Sequence, residues 1–393
     1  MKIGLLIDSM IGGGAERVVL NLAEGFRRKG HTPHLILVRN EIQHDLPDWL
    51  PVHVLSDDGY PFRNRLMNRL ALAWRLRRTV AAEETSSGEA FAFFISNAEY
   101  ADHLSALAGL RQVFIRYRNS MVEFYHGKLR TRTGLKRLFR RIKWSSYFTR
   151  VYGGRHLVTV SHALQEEITE QIGLHPASIV TIYNPFNFDA IRARSHAFEA
   201  PLDEPYIVYA ARLTQRKRQD LLLQAYARST ARNTHKLVLL GDAYDASEQA
   251  WADEIKQLIV SLGLQDRVLC PGFQTNPYPW VRKAALFAMS SDSEGLPTVL
   301  IESLILGTPV VSTDCPTGPA EILTGELARF LCPRDDPAAL AARMDSALLS
   351  YPPITDQMLK RFHVDYAINA YLRHCSPQSG PPQLPPKTCV IPH

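Results

Sequence analysis

Apolar residues in this chain come in short runs, separated by stretches in which they recur every three or four positions, and this alternation occurs in two series. The first series predicts strands at residues 2–8, 34–38, 52–55, 92–96, 112–117, 157–161 and 179–183. The second predicts strands at residues 206–210, 236–240, 267–270, 286–290, 309–313 and 328–331. Helical periodicity fills most of the gaps, at 15–29, 163–172, 219–229, 247–262 and 337–349. Near-continuous apolar strands alternating with amphipathic helices argue for parallel sheets covered on both faces. The fold class that follows is α/β, with two Rossmann-like, doubly wound domains.

Prolines and charges break the pattern between Asn184 and Pro205. The predicted organisation is an N-terminal domain at 1–184, a linker at 185–205, a C-terminal domain at 206–352 and a closing helix at 353–374. Residues 375–393 are rich in proline and glycine and are expected to be a disordered tail. Ligands in open α/β sheets bind at the carboxyl ends of the strands. Two such domains facing across a cleft would place a site between them.

With 393 residues the chain is long enough for two cores. It has no apolar run of eighteen residues, and its N-terminus turns acidic at Asp8, too soon for a signal peptide. The expected location is cytoplasmic, with a peripheral position at the inner membrane as a further expectation. Five cysteines without C-x-x-C spacing suggest neither a disulfide framework nor a zinc site. The net charge of +6 is uneven: residues 1–190 hold 25 Lys+Arg against 18 Asp+Glu, or +7, and the remainder carries −1. A basic first half suits an anionic substrate, an anionic membrane or nucleic acid, and composition does not choose among them.

Candidate chemistry concentrates after the strand at 286–290. The sequence there is Ser291-Asp292-Ser293-Glu294-Gly295-Leu296-Pro297-Thr298-Val299, and it enters a helix with Pro297 expected in the first turn. The N–H groups of Thr298, Val299 and Leu300 would then be free to meet an anion such as a diphosphate. Glu294 and Glu302 are eight positions apart, so their carboxylates can accept from hydroxyls on different parts of one ligand. By spacing alone, a surface acid followed by an ordinary helix acid is the commoner arrangement. Near the N-terminus, Gly12-Gly13-Gly14 opens a helix as a phosphate loop would, but Arg17 spoils a G-x-G-x-x-G fingerprint and argues against a dehydrogenase.

Glu294-x7-Glu302 enclosing Gly295-Leu296-Pro297, followed by Gly307-Thr308-Pro309-Val310-Val311 and Gly318-Pro319-Ala320-Glu321, resembles the signature of the family 4 glycosyltransferases. The resemblance implies the GT-B fold and a retaining, metal-independent enzyme with no cofactor beyond its nucleotide-sugar co-substrate. Arg212-Leu213-Thr214-Gln215-Arg216-Lys217 resembles the family's arginine and lysine pair, with Ala211 where a glycine is usual. It implies that Arg212 and Lys217 bridge the donor diphosphate and that Glu294 holds the transferred sugar, these three being the catalytic residues. Donor binding would extend to the ribose on Glu302 and to Gly295, Leu296, Pro297, Thr298, Val299, Gly272, Phe273, Gly13 and Gly14. Gly272 and Phe273 close a strand similar to the one whose backbone reads the base. Arg118 and Asn119 stand where many members carry a histidine. They resemble a variant in relatives acting on lipid-linked or lipopolysaccharide acceptors, which implies an acceptor-side role. His103 and His126 are candidates to replace that histidine. A UDP-sugar is the favoured donor, with GDP-mannose open. Alternatives are another GT-B enzyme, such as a sugar-nucleotide epimerase, and a catalytically silent binding subunit.

Residues 128–144 carry eight cations interleaved with Leu135, Leu138, Phe139, Ile142 and Trp144. On a helix most of the apolar residues fall on one face, as in a segment that lies in an anionic membrane surface. Residues 63–78, with Trp74, repeat the composition. No nucleic-acid binding module is recognisable, and none is expected.

Overall fold

The structure is a computed structural model that describes residues 1–11, 14–57, 64–120, 122 and 146–376. It comprises two compact units, Met1–Pro185 with the segment from Val364 onward, and Phe186–His363.

In the first unit, seven parallel strands run through the sheet. They are β1 (Lys2–Ile7), β2 (Thr32–Leu37), β3 (Val52–Val54), β4 (Phe91–Ser96), β5 (Val113–Tyr117), β6 (His156–Thr159) and β7 (Ser178–Thr181). Their order is β3-β2-β1-β4-β5-β6-β7, so the winding reverses between β1 and β4. Helix α1 (Gly14–Arg28) buries Val18, Val19, Leu22, Ala23 and Phe26, the stripe expected at helical spacing. Helix α2 (Arg65–Ser87) is capped by Asn64, whose side chain accepts from the N–H groups of Leu66 and Met67, and it stops at Gly88 in the left-handed region (φ 68°). Helix α3 (Glu99–Leu107) follows β4.

The second unit holds β8 (Tyr206–Ala210), β9 (Lys236–Leu240), β10 (Val268–Gly272), β11 (Leu286–Met289), β12 (Val310–Thr313) and β13 (Leu331–Cys332). These six parallel strands stand in the order β10-β9-β8-β11-β12-β13, and the winding reverses between β8 and β11. Its principal helices are α4 (Gln219–Arg228), α5 (Ala246–Ser261), α6 (Thr298–Ile305) and α7 (Pro337–Leu349).

Every strand expected from the apolar runs is present, with ends moved by a few residues. β13 shrinks most, because Gly325–Phe330 winds as a 3-10 turn before it. The 185–205 stretch carries a helix of its own, Phe188–Arg194, and Arg192 Nε donates to the Ile305 carbonyl (3.3 Å) within the second unit. Helix α8 (Val364–Cys375) then returns the chain to the first unit. Its Val364, Ala367, Ile368 and Tyr371 join α1 and strands β1, β2 and β4 in one buried cluster.

Among the described residues, no helix is long and apolar enough to cross a membrane. The 128–144 segment, His126, Gly12, Gly13 and the tail from 377 lie outside the described residues.

Candidate active site

The reversal between β8 and β11 is where an open α/β sheet leaves a crevice at its strand ends, and the loops after these two strands carry the predicted donor residues. Hydrogen bonds sew the loops together. Ser290 Oγ donates to the carbonyls of Lys217 (3.0 Å) and Arg218 (2.7 Å), and Asp292 N donates to the Arg216 carbonyl (2.9 Å). The buried Tyr209 hydroxyl donates to Lys217 O (3.2 Å) and meets Ser291 Oγ (2.8 Å). Arg218 turns the first loop at φ 50° and is held by Asp220 (3.0 Å), Asp292 (3.0 Å) and Asp335. Burial disfavours the charge on Arg218, but these acids outweigh it and hold the guanidinium above its ordinary range.

Lys217 and Glu294 are brought into direct contact, Nζ to Oε1 at 2.5 Å, with Arg216 Nη1 at 4.0 Å from Oε2. Glu294 is 7% exposed. Burial pushes its carboxyl up, and the charges of Lys217 and Arg216, with the Lys217 and Ser291 hydrogen bonds, more than offset this and leave it below its ordinary value. The carboxylate is therefore ionised and ready to accept from hydroxyls. Thr317 Oγ1 donates to the Glu294 carbonyl from the other side. Next to it Gly318 sits at φ 111°, where a Cβ would fall 2.5 Å from Pro297 Cδ and 2.9 Å from Gly295 O. The Gly-Pro-Ala-Glu motif thus braces the Gly295-Leu296-Pro297 turn.

The helix begins one residue later than expected, which corrects the placement of Pro297. It caps α6 in an extended conformation (φ −69°, ψ 101°) and is not the first helical residue, and Leu300 N is taken by the Pro297 carbonyl (3.2 Å). Thr298 and Val299 are left as the amides that open the helix. Glu302, in the second turn of α6, accepts from the Tyr278 hydroxyl (3.0 Å).

Arg212 does not touch Glu294. Its side chain is 56% exposed, pairs with Glu248 Oε1 (2.5 Å) and lies over the Tyr244 ring, 4.9 Å from the centroid. Phe273, just past β10, meets the same tyrosine edge-on (6.3 Å). Gly272 O accepts from Gly241 N (3.0 Å), and Gly241 is obligatory because a Cβ there would stand 1.9 Å from the Ala211 carbonyl oxygen. Sequence reasoning missed Glu248. Asp245-Ala246-Ser247-Glu248 reads as a helix-capping pattern, and Asp245 does cap α5. Glu248 instead directs one oxygen to Tyr244 N (2.8 Å) and the other to Arg212.

In the first unit, Arg118 follows β5 and faces Asp8, Glu16 and Asp102. Burial and the neighbouring Arg116 lower its pKa against the pull of those acids. Burial pushes Asp102 up to about 7 and raises Asp8 and Glu16 as well. Asn119 is exposed. The adjoining loop is fixed by buried Glu167, which lies in a π turn and accepts from Tyr117 (2.8 Å) and Ser120 (2.5 Å). Gly14 opens α1. His103 is engaged with the Tyr147 hydroxyl (3.1 Å), and burial lowers its pKa.

Two family models divide the chain: "Glycosyltransferase Family 4" matches residues 12–190, and "Glycosyl transferases group 1" matches residues 191–362. The chain is a family 4 glycosyltransferase of the GT-B fold. The glycosyltransferase is 27% identical over 322 residues to the N-acetylgalactosamine-N,N'-diacetylbacillosaminyl-diphospho-undecaprenol 4-alpha-N-acetylgalactosaminyltransferase of Campylobacter jejuni, covering 82% of this chain and 83% of that one. It is 30% identical over 180 residues to the lipopolysaccharide 1,6-galactosyltransferase of Escherichia coli, covering 43% of this chain and 45% of the relative. In structure it is similar to HepE of Anabaena, solved in complex with UDP and glucose, with a TM-score of 0.72 at 22% identity over 94% of this chain and 98% of that one.

Proposed function

We propose that the enzyme moves a hexose or N-acetylhexosamine, with retention, from a UDP-sugar to a lipid-linked or glycan acceptor in the building of cell-surface polysaccharide or lipopolysaccharide. The observation that carries this reading is the buried, ionised Glu294 held by Lys217 at the strand reversal, beside the amides that open α6. Glu294 accepts from the donor sugar's hydroxyls and Glu302 from the ribose. Lys217 and Arg212 take up the charge that grows on the leaving diphosphate. The acceptor oxygen bonds to the anomeric carbon on the face from which the diphosphate departs, and its proton passes to a diphosphate oxygen. No side chain is needed as nucleophile.

The reaction is metal-independent. Asp292 and Glu294 could suggest a metal-binding pair, but each is committed to a cation, Asp292 to Arg218 and Glu294 to Lys217. The relatives' names support the acceptor class, one being a diphospho-undecaprenol saccharide and the other lipopolysaccharide. Both name galactose-type sugars, which supports a hexose or N-acetylhexosamine.

The test is incubation of purified enzyme with radiolabelled UDP- and GDP-sugars and a bacterial membrane extract, alongside Glu294→Ala. Label should move from a UDP-sugar into the lipid or polysaccharide fraction, and the variant should transfer none. Transfer from GDP-mannose alone would overturn the donor assignment. A fully active variant would overturn the role of Glu294.

A further inference from the structure

Among the described residues, one set of histidine, cysteine and acidic side chains converges closely enough to hold a metal ion: His34, His53 and Glu83. Sheet register brings the two histidines together. His53 of β3 pairs with Ile36 of β2, and His34 stands two positions before Ile36, so both side chains leave the same face. Glu83 reaches them from the C-terminal part of α2. His34 is 4% exposed, and its Nδ1 lies 3.1 Å from His53 Nε2. Glu83 Oε1 is 4.0 Å from His34 Nδ1, and Oε2 is 3.9 Å from His53 Nε2. Two nitrogens on one tetrahedral zinc are about 3.3 Å apart, so the imidazoles already have the spacing and the carboxylate has roughly 0.5 Å to close. Burial lowers the pKa of both histidines, which favours the neutral imidazole that ligates metal.

We propose that His34, His53 and Glu83 bind a zinc-type divalent transition ion that fastens the edge of the first sheet. The donor set selects the ion. Two imidazoles and a carboxylate suit zinc and its neighbours, whereas magnesium and calcium take oxygen ligands throughout. Three protein ligands leave a fourth position, and the half-buried His53 and Glu83 admit water to it. Lys2 leaves room for the ion. Its buried ammonium lies 5.3 Å from the Phe91 ring centroid and donates to Glu83 Oε1 (2.9 Å), the Glu83 carbonyl (3.3 Å) and the Ser87 hydroxyl, so Oε2 stays open to the metal. A donor on the second oxygen fixes the carboxylate's orientation, as outer partners of metal ligands do. Topology supplies the purpose. β3 is three residues long and ends the sheet, with β2 as its neighbour there. An ion shared by β3, β2 and α2 ties down a strand that its short ladder holds weakly. Lys2 opens β1, and Asp8 and Arg118 follow the opposite ends of β1 and β5, so the ion takes no part in transfer. The proposal is independent of the donor and acceptor assigned above.

The test uses the untagged full chain purified from zinc-supplemented cells. Bound metal is measured by elemental mass spectrometry, and the chain is then stripped with EDTA, freed of chelator and titrated with Co2+, whose visible absorption intensifies in a four-coordinate site. His53→Ala and Glu83→Gln are compared with it, both at half-buried positions that tolerate change. The unaltered chain should carry about one metal ion, and each variant should bind cobalt about tenfold or more weakly. Zinc should raise the Tm of the stripped, unaltered chain by several degrees and leave both variants unmoved. Transfer rate below the melting range should be the same with and without the ion. Failure of the stripped chain to take up cobalt or zinc, or uptake and a Tm gain unchanged in both variants, would overturn the proposal. If zinc leaves the Tm of the unaltered chain unmoved while Glu83→Gln melts lower in EDTA, the cluster serves only as the ion-pair partner of Lys2 and the proposal fails.

Discussion

Replacing Lys217 with methionine isolates the central charge pair. The side chains are similar in length, so the change removes the ammonium without opening a large void, and Glu294 is left 7% exposed with its 2.5 Å partner gone. Removing one partner of a buried pair costs about 3–5 kcal/mol because the other charge is stranded. Arg216 at 4.0 Å compensates in part, which puts the expected loss near the lower end. The pH dependence makes the prediction specific. In the unaltered protein the Glu294 carboxyl is depressed when folded, so its contribution is present above the unfolded carboxyl pKa and is lost as pH falls through the folded value. In Lys217→Met, burial dominates and the folded pKa rises above the unfolded one. Stability of the variant should therefore fall as pH rises between those two values. The deficit should be largest at neutral pH and small at pH about 4, near the ordinary carboxyl pKa. Urea unfolding of both proteins, followed by circular dichroism at several pH values, measures it. A deficit that stays constant across pH, or one below about 1 kcal/mol at neutrality, would refute the picture of an ionised, compensated carboxylate.

Three further outcomes are expected. Gly241→Ala should cost roughly 1–3 kcal/mol and weaken UDP binding measured by calorimetry, since the new Cβ would displace the Ala211–Arg212 backbone. Glu248→Ala should weaken UDP binding by about 1–2 kcal/mol by freeing the Arg212 fork, and Glu248→Gln, which keeps a hydrogen-bond acceptor, should weaken it less. Tighter UDP binding by Glu248→Ala would instead make Glu248 a competitor for Arg212. Chelation with EDTA should leave the transfer rate unchanged, and a rate restored only by magnesium or manganese would contradict metal independence.

The strands and their alternation with helices were legible in the sequence because buried parallel strands must be apolar throughout, and that composition survives without tertiary context. The meeting of Lys217 with Glu294 was legible only through resemblance. Seventy-seven positions separate them, and what joins them is strand order, which periodicity does not encode. Partners chosen by loop geometry stayed hidden. Glu248 carries an ordinary capping pattern, and its grip on Arg212 depends on where the turn after β9 lands. Pro297 was expected one position too far into the helix; it caps the helix instead, and Gly318, twenty-one residues on, packs against its ring, a contact that periodicity does not encode. The buried Arg116 reads as a strand residue, yet it donates to Asn97 (3.0 Å) and to Asn184 (2.5 Å).

The return of α8 to the first unit makes Phe186–His363 an insertion within a discontinuous host. Phe186 N donates to the Phe362 carbonyl (2.9 Å) and Phe186 pairs with His363, so the two ends of the insert leave side by side. Such a segment can be excised and its host closed with a few residues, because neighbouring ends demand almost no linker. A fragment stopping at Pro185 would instead strip the cover from α1 and expose Phe26. Dissecting this enzyme into separately expressed halves therefore requires fusing the C-terminal helix to the N-terminal fragment, because a gene broken at the midpoint would leave that helix's apolar face uncovered on the C-terminal half.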